Sequence, residues 1–327
     1  MATFRFHGNK WQARVRRKGY PDQTKSFLTR QDAERWARRI EVDLDKGTFI
    51  DQSAAQNTTF GELIHRYMNE VLPSMRGAAT DSIRLKAILR RSICKTLMHM
   101  LTPSVIAAYR DERLGQVSSG TVIRELAYFS SVINHARREW NINIPNPVQL
   151  VKKPPSPLGR NRILSDEEEV LLLRASEPIA NRNIYTRPFI ILALETAMRR
   201  GELLGLRWSD IDLQKRTAFL KMTKNGESRC VPLSTRAIDT LRLLPISIDG
   251  RVLPINFAAL ETNFKRATCR SGISNLRIHD LRHTATTRLA EKLSNVLELS
   301  AVTGHKQLNM LKRYYHPNPA VLALKLS

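Results

Sequence analysis

Cysteine is scarce in this 327-residue sequence: three residues (Cys94, Cys230, Cys269), widely spaced, with no CxxC pair. An odd, dispersed set argues against a disulfide framework and a paired-cysteine zinc site, and it fits a reducing compartment. No apolar run is long enough to cross a bilayer, and Met1 to Lys10 lack the apolar centre of a secretory signal, so a cytoplasmic location is expected. There is no Walker A phosphate loop and no HExxH pair, which removes the usual marks of nucleotide hydrolysis and zinc peptidase chemistry. Acidic side chains are also in deficit, 30 Asp+Glu against 53 Lys+Arg, for a formal net charge of +23.

That positive excess is spread along the chain: +6 over residues 1–50, +7 over 51–160 and +10 over 161–327. A folded protein basic along its whole length suits a long polyanion, because each neutralised phosphate releases condensed counterions. The length is enough for two or three domains with real cores.

Residues 1–52 read as a small strand-rich module. Phe4, Phe6, Trp11, Ala13 and Val15 alternate with polar residues, the period of half-buried strands, and Gly19, Pro21 and Asp22 mark a turn. Thr29 then caps a helix carrying Ala33, Trp36, Ala37, Ile40 and Leu44, which closes at Gly47. Residues 51–58 are polar and read as a connector. Thr59 with Glu62 forms a reciprocal capping pair that opens an all-helical block, 58–150, with helices expected at Thr59–Val71, Ser82–Met98, Pro103–Leu114 and Thr121–Trp140. Prolines make 151–162 a stiff, basic linker. Residues 163–327 form a third, mostly helical domain. It opens at Ser165 ahead of Asp166, Glu167 and Glu168, and Asn225-Gly226 lies between two strand-like runs, Thr217–Lys224 and Glu227–Leu233. The fold class expected is therefore mainly α with small β-sheets, in several domains.

Four segments of the last domain carry the chemistry: Thr196-Ala-Met-Arg199-Arg-Gly-Glu202, His279-Asp-Leu-Arg282-His283, Gly304-His305 and Arg313-Tyr314-Tyr315-His316. In order and spacing they resemble the active-site boxes of the tyrosine recombinase (phage integrase) family. A fifth box, a lysine on a β-hairpin, matches Lys224, and the stretch from Leu194 to Tyr314 is especially similar to shufflon-type DNA invertases. One departure is Ala197, where many members carry glycine. The resemblance implies an arm-type DNA-binding module at 1–52, a helical core-binding (SAM-like) domain at 58–150 and a catalytic domain at 163–327 ending in a docking tail, Ala320–Leu326.

The residue types suit the implied reaction. Attack at a phosphodiester places negative charge on its non-bridging oxygens. Guanidiniums stay charged and bind two oxygens at once, which is the role expected of Arg199 and Arg282. His279, three residues before Arg282, shares its helix face and is expected to handle a proton at the same phosphate. His305 is expected to donate to a phosphate oxygen and Glu202 to orient an arginine. Tyrosine ionises near pH 10, so the expectation is that flanking cations favour the phenolate of Tyr314.

By the resemblance, Tyr314 leaves a 3′-phosphotyrosine and a free 5′-hydroxyl, with Lys224 protonating the leaving oxygen. The covalent link keeps the bond energy, so no metal, nucleotide or other cofactor is needed. The implied partners are double-stranded DNA at specific sites and three further copies in a tetramer on two sites, with room for accessory DNA-bending or directionality proteins. The implied location is the bacterial nucleoid, within the cytoplasm. Arg200, His283 and Tyr315 are read as neighbours of the catalytic groups.

Overall fold

The computed structural model describes all residues except Met1, 48–52, Arg76, Leu158, 179–183, 222–227, Ser294 and 316–327. The chain divides into two compact units, 1–158 and 159–327. Among the described residues no helix is long and apolar enough to cross a membrane.

The first unit begins with an antiparallel sheet, β1 (Ala2–His7), β2 (Lys10–Val15) and β3 (Gln23–Phe27), in the order β1-β2-β3. Gly8 and Asn9 both take positive φ, the backbone that a two-residue hairpin needs to match strand twist. The register pairs Phe4 with Ala13 and Phe6 with Trp11. Helix α1 (Arg30–Asp45) is capped by the Thr29 hydroxyl, which accepts from the Asp32 amide. It lays Ala37 and Leu44 against Val15. Phe6 stays 57% exposed, so this core is small.

A short helix, α2 (Ser53–Asn57), occupies the stretch expected as a connector, and Ala55 is buried in the following core. The helices α3 (Phe60–Glu70), α4 (Ala78–Leu89), α5 (Pro103–Leu114) and α6 (Ser119–Glu139) enclose Phe60, Leu63, Ile64, Leu85, Ile88, Leu126, Phe129 and Ile133. Phe60 and Phe129 meet edge to face at 4.9 Å. Both halves of the Thr59–Glu62 capping box form.

The helix expected over Ser82–Met98 departs from this reading. It stops at Leu89, and 92–95 and 98–100 are 3₁₀ turns. Tertiary pairing overrides periodicity here: the Phe60 amide donates to Thr96 O and the Met98 amide to Thr58 O, drawing the segment across the start of α3. Gly61 permits the approach, since a Cβ there would sit 2.8 Å from the Cys94 carbonyl oxygen.

Of the stretch expected as linker, Val151 is buried in the first unit's core and Lys152 O accepts from Arg110. Arg160 belongs to the second unit, where it bonds Asp280.

The second unit starts with α7 (Asp166–Ala175), capped reciprocally by Ser165 and Glu168. At its centre is α8 (Thr186–Thr196), apolar on nearly every side and buried at Phe189, Ile190, Leu192 and Leu194, as a helix covered all round must be. Then follow α9 (Arg200–Gly205) and a small antiparallel sheet, β4 (Ile211–Asp212), β5 (Thr217–Leu220) and β6 (Arg229–Pro232). The β5–β6 connection, with Asn225-Gly226, lies outside the described residues. The unit continues with α10 (Thr235–Arg242), α11 (Phe257–Arg270), α12 (Ile278–Lys292) and α13 (Val296–Thr303), then 3₁₀ turns at 308–310 and 312–314. Helices α10 and α12 pack on α8, which fixes the ends of α8 and α12 relative to each other.

Candidate active site

The site is assembled where α8 gives way to α9, at the first turns of α12, and at the end of α13. Helix α8 ends at Ala197, in the left-handed region at φ 51°, ψ 21°. That conformation costs an L-residue about 1–2 kcal/mol and explains why glycine suits the position. The turn aims the Ala197 carbonyl at Arg282, whose Nη1 donates to it.

Arg199 is the N-cap of α9, and the carboxylate three residues on, Glu202, folds back to accept from the Arg199 amide at 2.8 Å. Helix α12 opens the same way, with the Arg277 amide donating to Asp280 at 2.7 Å. An acid at the third helical position satisfies an otherwise orphaned N–H and complements the helix dipole. Both arginine-bearing segments are thereby locked at their helix starts.

Glu202 is the hub. It accepts from Arg199 Nη1 at 2.9 Å and from both terminal nitrogens of Arg229 at 3.0 and 2.6 Å. Burial pushes its carboxyl upward in pKa, but the Arg229 bonds and the Arg199 amide outweigh that and hold it below the ordinary value. Arg199 Nη2 also donates to Gly304 O at 3.0 Å. Arg229 Nε donates to Val302 O at 3.2 Å, tying β6 to the end of α13. Gly304 suits this arrangement: its φ is +69°, and a Cβ would lie 2.8 Å from the Arg229 guanidinium carbon, so the guanidinium would have to move.

Arg282 is 5% exposed. Its Nη2 donates to Thr303 O at 2.7 Å and lies 3.4 Å from His305 Nε2. Burial, with Arg199 beside it, draws its pKa down to about 10, so it remains charged at neutral pH. Thr303 Oγ1 donates to Leu299 O at 2.6 Å, which leaves its oxygen to accept the Nδ1 proton of His305 at 2.7 Å. Nε2 of His305 then presents a lone pair towards Arg282. Burial and the Arg282 and Arg199 charges pull the His305 pKa down to about 4, so the ring is neutral. Donation to phosphate from Nε2 therefore takes either a second proton on the ring or the other tautomer, with the Thr303 hydroxyl turned to donate to Nδ1.

Arg199, His279 and Arg282 line one open cleft of about 460 Å³ with Arg200, Met198, Phe189 and Gly201. His279 is lowered in pKa by burial of part of its ring and by Arg282. The Arg200 guanidinium stacks on Phe257, 3.5 Å from the ring centroid.

Tyr314 sits on the last 3₁₀ turn with its hydroxyl hydrogen-bonded to His283 Nδ1. Its neighbour Tyr315 donates to Leu293 O at the end of α12, a packing contact. Arg313 and Arg282 favour the Tyr314 phenolate, as cations should, but burial raises the phenol's pKa by more than they lower it. Arg313 Nη2 is held by Arg160 O and Asn161 Oδ1, both at 2.6 Å, so the segment before α7 fastens the tyrosine turn. Arg160 itself pairs with Asp280 at 2.7 Å, where the guanidinium and the Arg277 amide overcome burial and lower the carboxyl's pKa.

The structure thus gathers Arg199, Glu202, His279, Arg282, His305 and Tyr314. Lys224 lies outside the described residues. Sequence reasoning passed over Arg229, Arg160 and the contact of His283 with Tyr314. Asp280 carried a usable signal, an acid three residues after a cap position; Arg229 carried none. Among the described residues, no group of three or more His, Cys, Asp or Glu side chains is gathered to hold a metal ion.

Comparison with known proteins bears on this geometry. The Phage integrase family profile matches residues 162–320. A Haemophilus influenzae protein assigned as an integrase/recombinase is 34% identical over 98% of this chain and 88% of its own length. The shufflon-specific DNA recombinase of Escherichia coli is 40% identical over 80% of this chain and 70% of its own. Lambda integrase, solved as a tetramer on a Holliday junction, has the same fold with a TM-score of 0.66, 21% identity and coverage of 94% of this chain and 93% of its own. The chain belongs to the phage integrase family, the tyrosine recombinases.

Proposed function

We propose that this protein is a site-specific DNA recombinase that cleaves and rejoins strands through Tyr314. The observation that carries the reading is convergence: Arg199, His279 and Arg282, far apart in the chain, line one cleft, His305 lies against Arg282, and the Tyr314 ring stands 6.5 Å from that of His305. A phosphodiester in the cleft is clamped by Arg199 and Arg282, whose charge meets the negative charge that develops on its oxygens. Its arrival offsets the cations that hold His305 neutral, and that ring donates through a second proton or through the other tautomer. His279 lies in the same cleft as Arg199 and Arg282, which supports a proton-handling role at the phosphate. Glu202 holds Arg199 in place.

Attack by Tyr314 leaves a 3′-phosphotyrosine and a 5′-hydroxyl, with Lys224 the donor to the leaving oxygen. Reversal by an incoming 5′-hydroxyl rejoins the strand without nucleotide or metal. The kinship with the shufflon-specific recombinase supports inversion or integration between specific duplex sites. The tetramer seen for lambda integrase supports four copies on two sites, with the apolar tail 320–326 docking on a neighbouring copy. The basic module at 1–52 is the candidate for arm-site binding and 58–150 for binding at the core site. The bacterial nucleoid is the corresponding place of action.

The test is a nicked duplex carrying the protein's site, which can be found by sequencing covalent adducts on DNA from the source genome. Wild-type protein forms a denaturation-resistant adduct in the presence of EDTA, and Tyr314→Phe forms none. An adduct that persists in Tyr314→Phe, or relaxation of supercoils with no two-site product, would overturn the proposal.

A further inference from the structure

The hydrogen bond between Tyr314 Oη and His283 Nδ1 has no part in the reading above, yet it touches the reacting atom. We propose that His283 is the base that takes the phenol proton of Tyr314 as strand cleavage begins, an inference that rests on Tyr314 being the nucleophile.

Geometry is the first support. His283 lies four residues after His279 on α12, so the two imidazoles share one face of the helix. Its ring stands nearly perpendicular to that of His279, at 82° with centroids 5.1 Å apart, and is tilted 32° from that of Tyr314 at 5.9 Å. The tyrosine cannot drift from this contact freely, because the preceding Arg313 is fastened to Arg160 and Asn161.

The second support is electrostatic. Burial, with His279 and Arg313 nearby, pulls the His283 pKa down to about 4, so the ring rests uncharged with its lone pair free, a weak base that needs a nearby anion to hold the proton. Burial meanwhile raises the phenol's pKa, so Tyr314 rests protonated and needs a base at the moment of attack. A phosphodiester entering the cleft adds a negative charge that stabilises a newly protonated imidazole.

The step balances. The Tyr314 Oη–phosphorus bond forms and the phosphorus–O5′ bond breaks. The phenol proton moves to His283 Nδ1, and the departing O5′ takes its proton from a separate donor, Lys224 in the reading above. On rejoining, the phenolate leaves phosphorus and recovers its proton from His283.

The test uses the full chain and the genomic fragment that wild-type protein captures as an adduct. The fragment is made as a nicked duplex in two forms, one with the natural O5′ and one with sulfur in its place. The thiolate leaves without a proton, so the sulfur substrate bypasses the acid and isolates activation of the nucleophile.

His283→Ala is expected to slow single-turnover adduct formation by about 100-fold or more on both substrates. Lys224→Ala is expected to recover only on sulfur. His283→Asn, which can still hydrogen-bond the phenol but cannot take its proton, is expected to be as slow as His283→Ala. Free imidazole is expected to restore part of the rate of the alanine variant. DNA affinity by gel shift, measured for each variant, shows whether it has folded; if the alanine variant has not, the asparagine variant decides.

Recovery of His283→Ala on sulfur, near-wild-type rates in the asparagine variant, or a change under about threefold in either would overturn the inference while leaving Tyr314 as the nucleophile. Failure of wild-type protein to form any adduct at Tyr314 would instead overturn the recombinase reading, and this inference with it.

Discussion

Each unit of the molecule buries an arginine beside a glutamate, and the two clusters are built differently. In the first unit Arg113 meets Glu125 through two bonds, 3.0 and 2.7 Å, while Tyr109 donates to the same carboxylate at 2.8 Å. One cation faces one anion, and Gln116 takes a further guanidinium N–H at 2.6 Å. In the second unit Glu202 faces Arg199 and Arg229, and the buried Arg282 has carbonyl oxygens and a neutral histidine for company. Two guanidiniums share one carboxylate and the third has none. A charge-matched cluster is complete in itself and needs nothing from outside. A cluster with two positive charges in excess is costly to bury unless an anion arrives, which is why the proposed function puts a phosphate there.

The sharpest way to break this contrast is to neutralise one member of each cluster. Arg282→Ala should lower adduct formation per folded molecule about 10²–10³-fold, and any loss in melting temperature should come from the two carbonyls it leaves unpaired, not from a broken ion pair. Glu125→Gln should do the reverse. Leaving Arg113 buried without its anion should cost about 3 kcal/mol in denaturant unfolding, with adduct formation per folded molecule unchanged. If both variants lose stability equally and neither loses activity selectively, the distinction is wrong.

Gly304→Ala probes the second cluster from its edge. The left-handed backbone and the collision with Arg229 should together destabilise the second unit by about 2 kcal/mol. Cleavage should fall as well, since Arg229 holds Glu202, which holds Arg199; melting and adduct assays would show the two losses together.

Acid should separate the units further. His283 and His305 both fall to about 4 in the folded state, from an ordinary value of 6.5. Depressed histidines mean that the unfolded chain binds more protons than the folded one as pH falls below 6.5. The stability they allow is complete above pH 6.5 and is lost as pH drops from there towards 4. Glu125 in the first unit is also depressed, with Arg113 and Tyr109 overcoming burial, but it titrates only in the carboxylate range. Between pH 7 and 5 the second unit should therefore lose about 1 kcal/mol or more while the Glu125 cluster keeps its contribution. Hydrogen exchange resolved by segment would measure this, and equal losses in both units would contradict it.

The smallest expected effects concern what the units share. Thr59→Ala and Ser165→Ala each remove half of a capping box and should each cost about 1 kcal/mol, read by denaturant unfolding. A large difference between them would mean that one helix start depends on contacts beyond its cap.

Much of this was legible along the chain because its cause is local. Thr29, Thr59 and Ser165 cap helices through amides within three residues of themselves. The alternation around Trp11 and Ala13 became a strand for the same reason. The break after Leu89 was not legible, because backbone bonds to Thr58 and Phe60, some thirty residues earlier, decide it. Arg229 looked like any basic strand residue until β6 placed it against Glu202 and Val302. His283 read as a bystander because its partner lies 31 positions away.

Sequence alone determined the residue types of the chemistry: guanidiniums for a phosphate, a phenol to attack it, and the order of segments by which the family is known. Tertiary structure gave the two phenols their different partners, a backbone carbonyl for Tyr315 and an imidazole for Tyr314. It also decided the protonation states. How far each cation, ring and carboxylate is removed from water depends on groups distant in the chain, and desolvation acts through space.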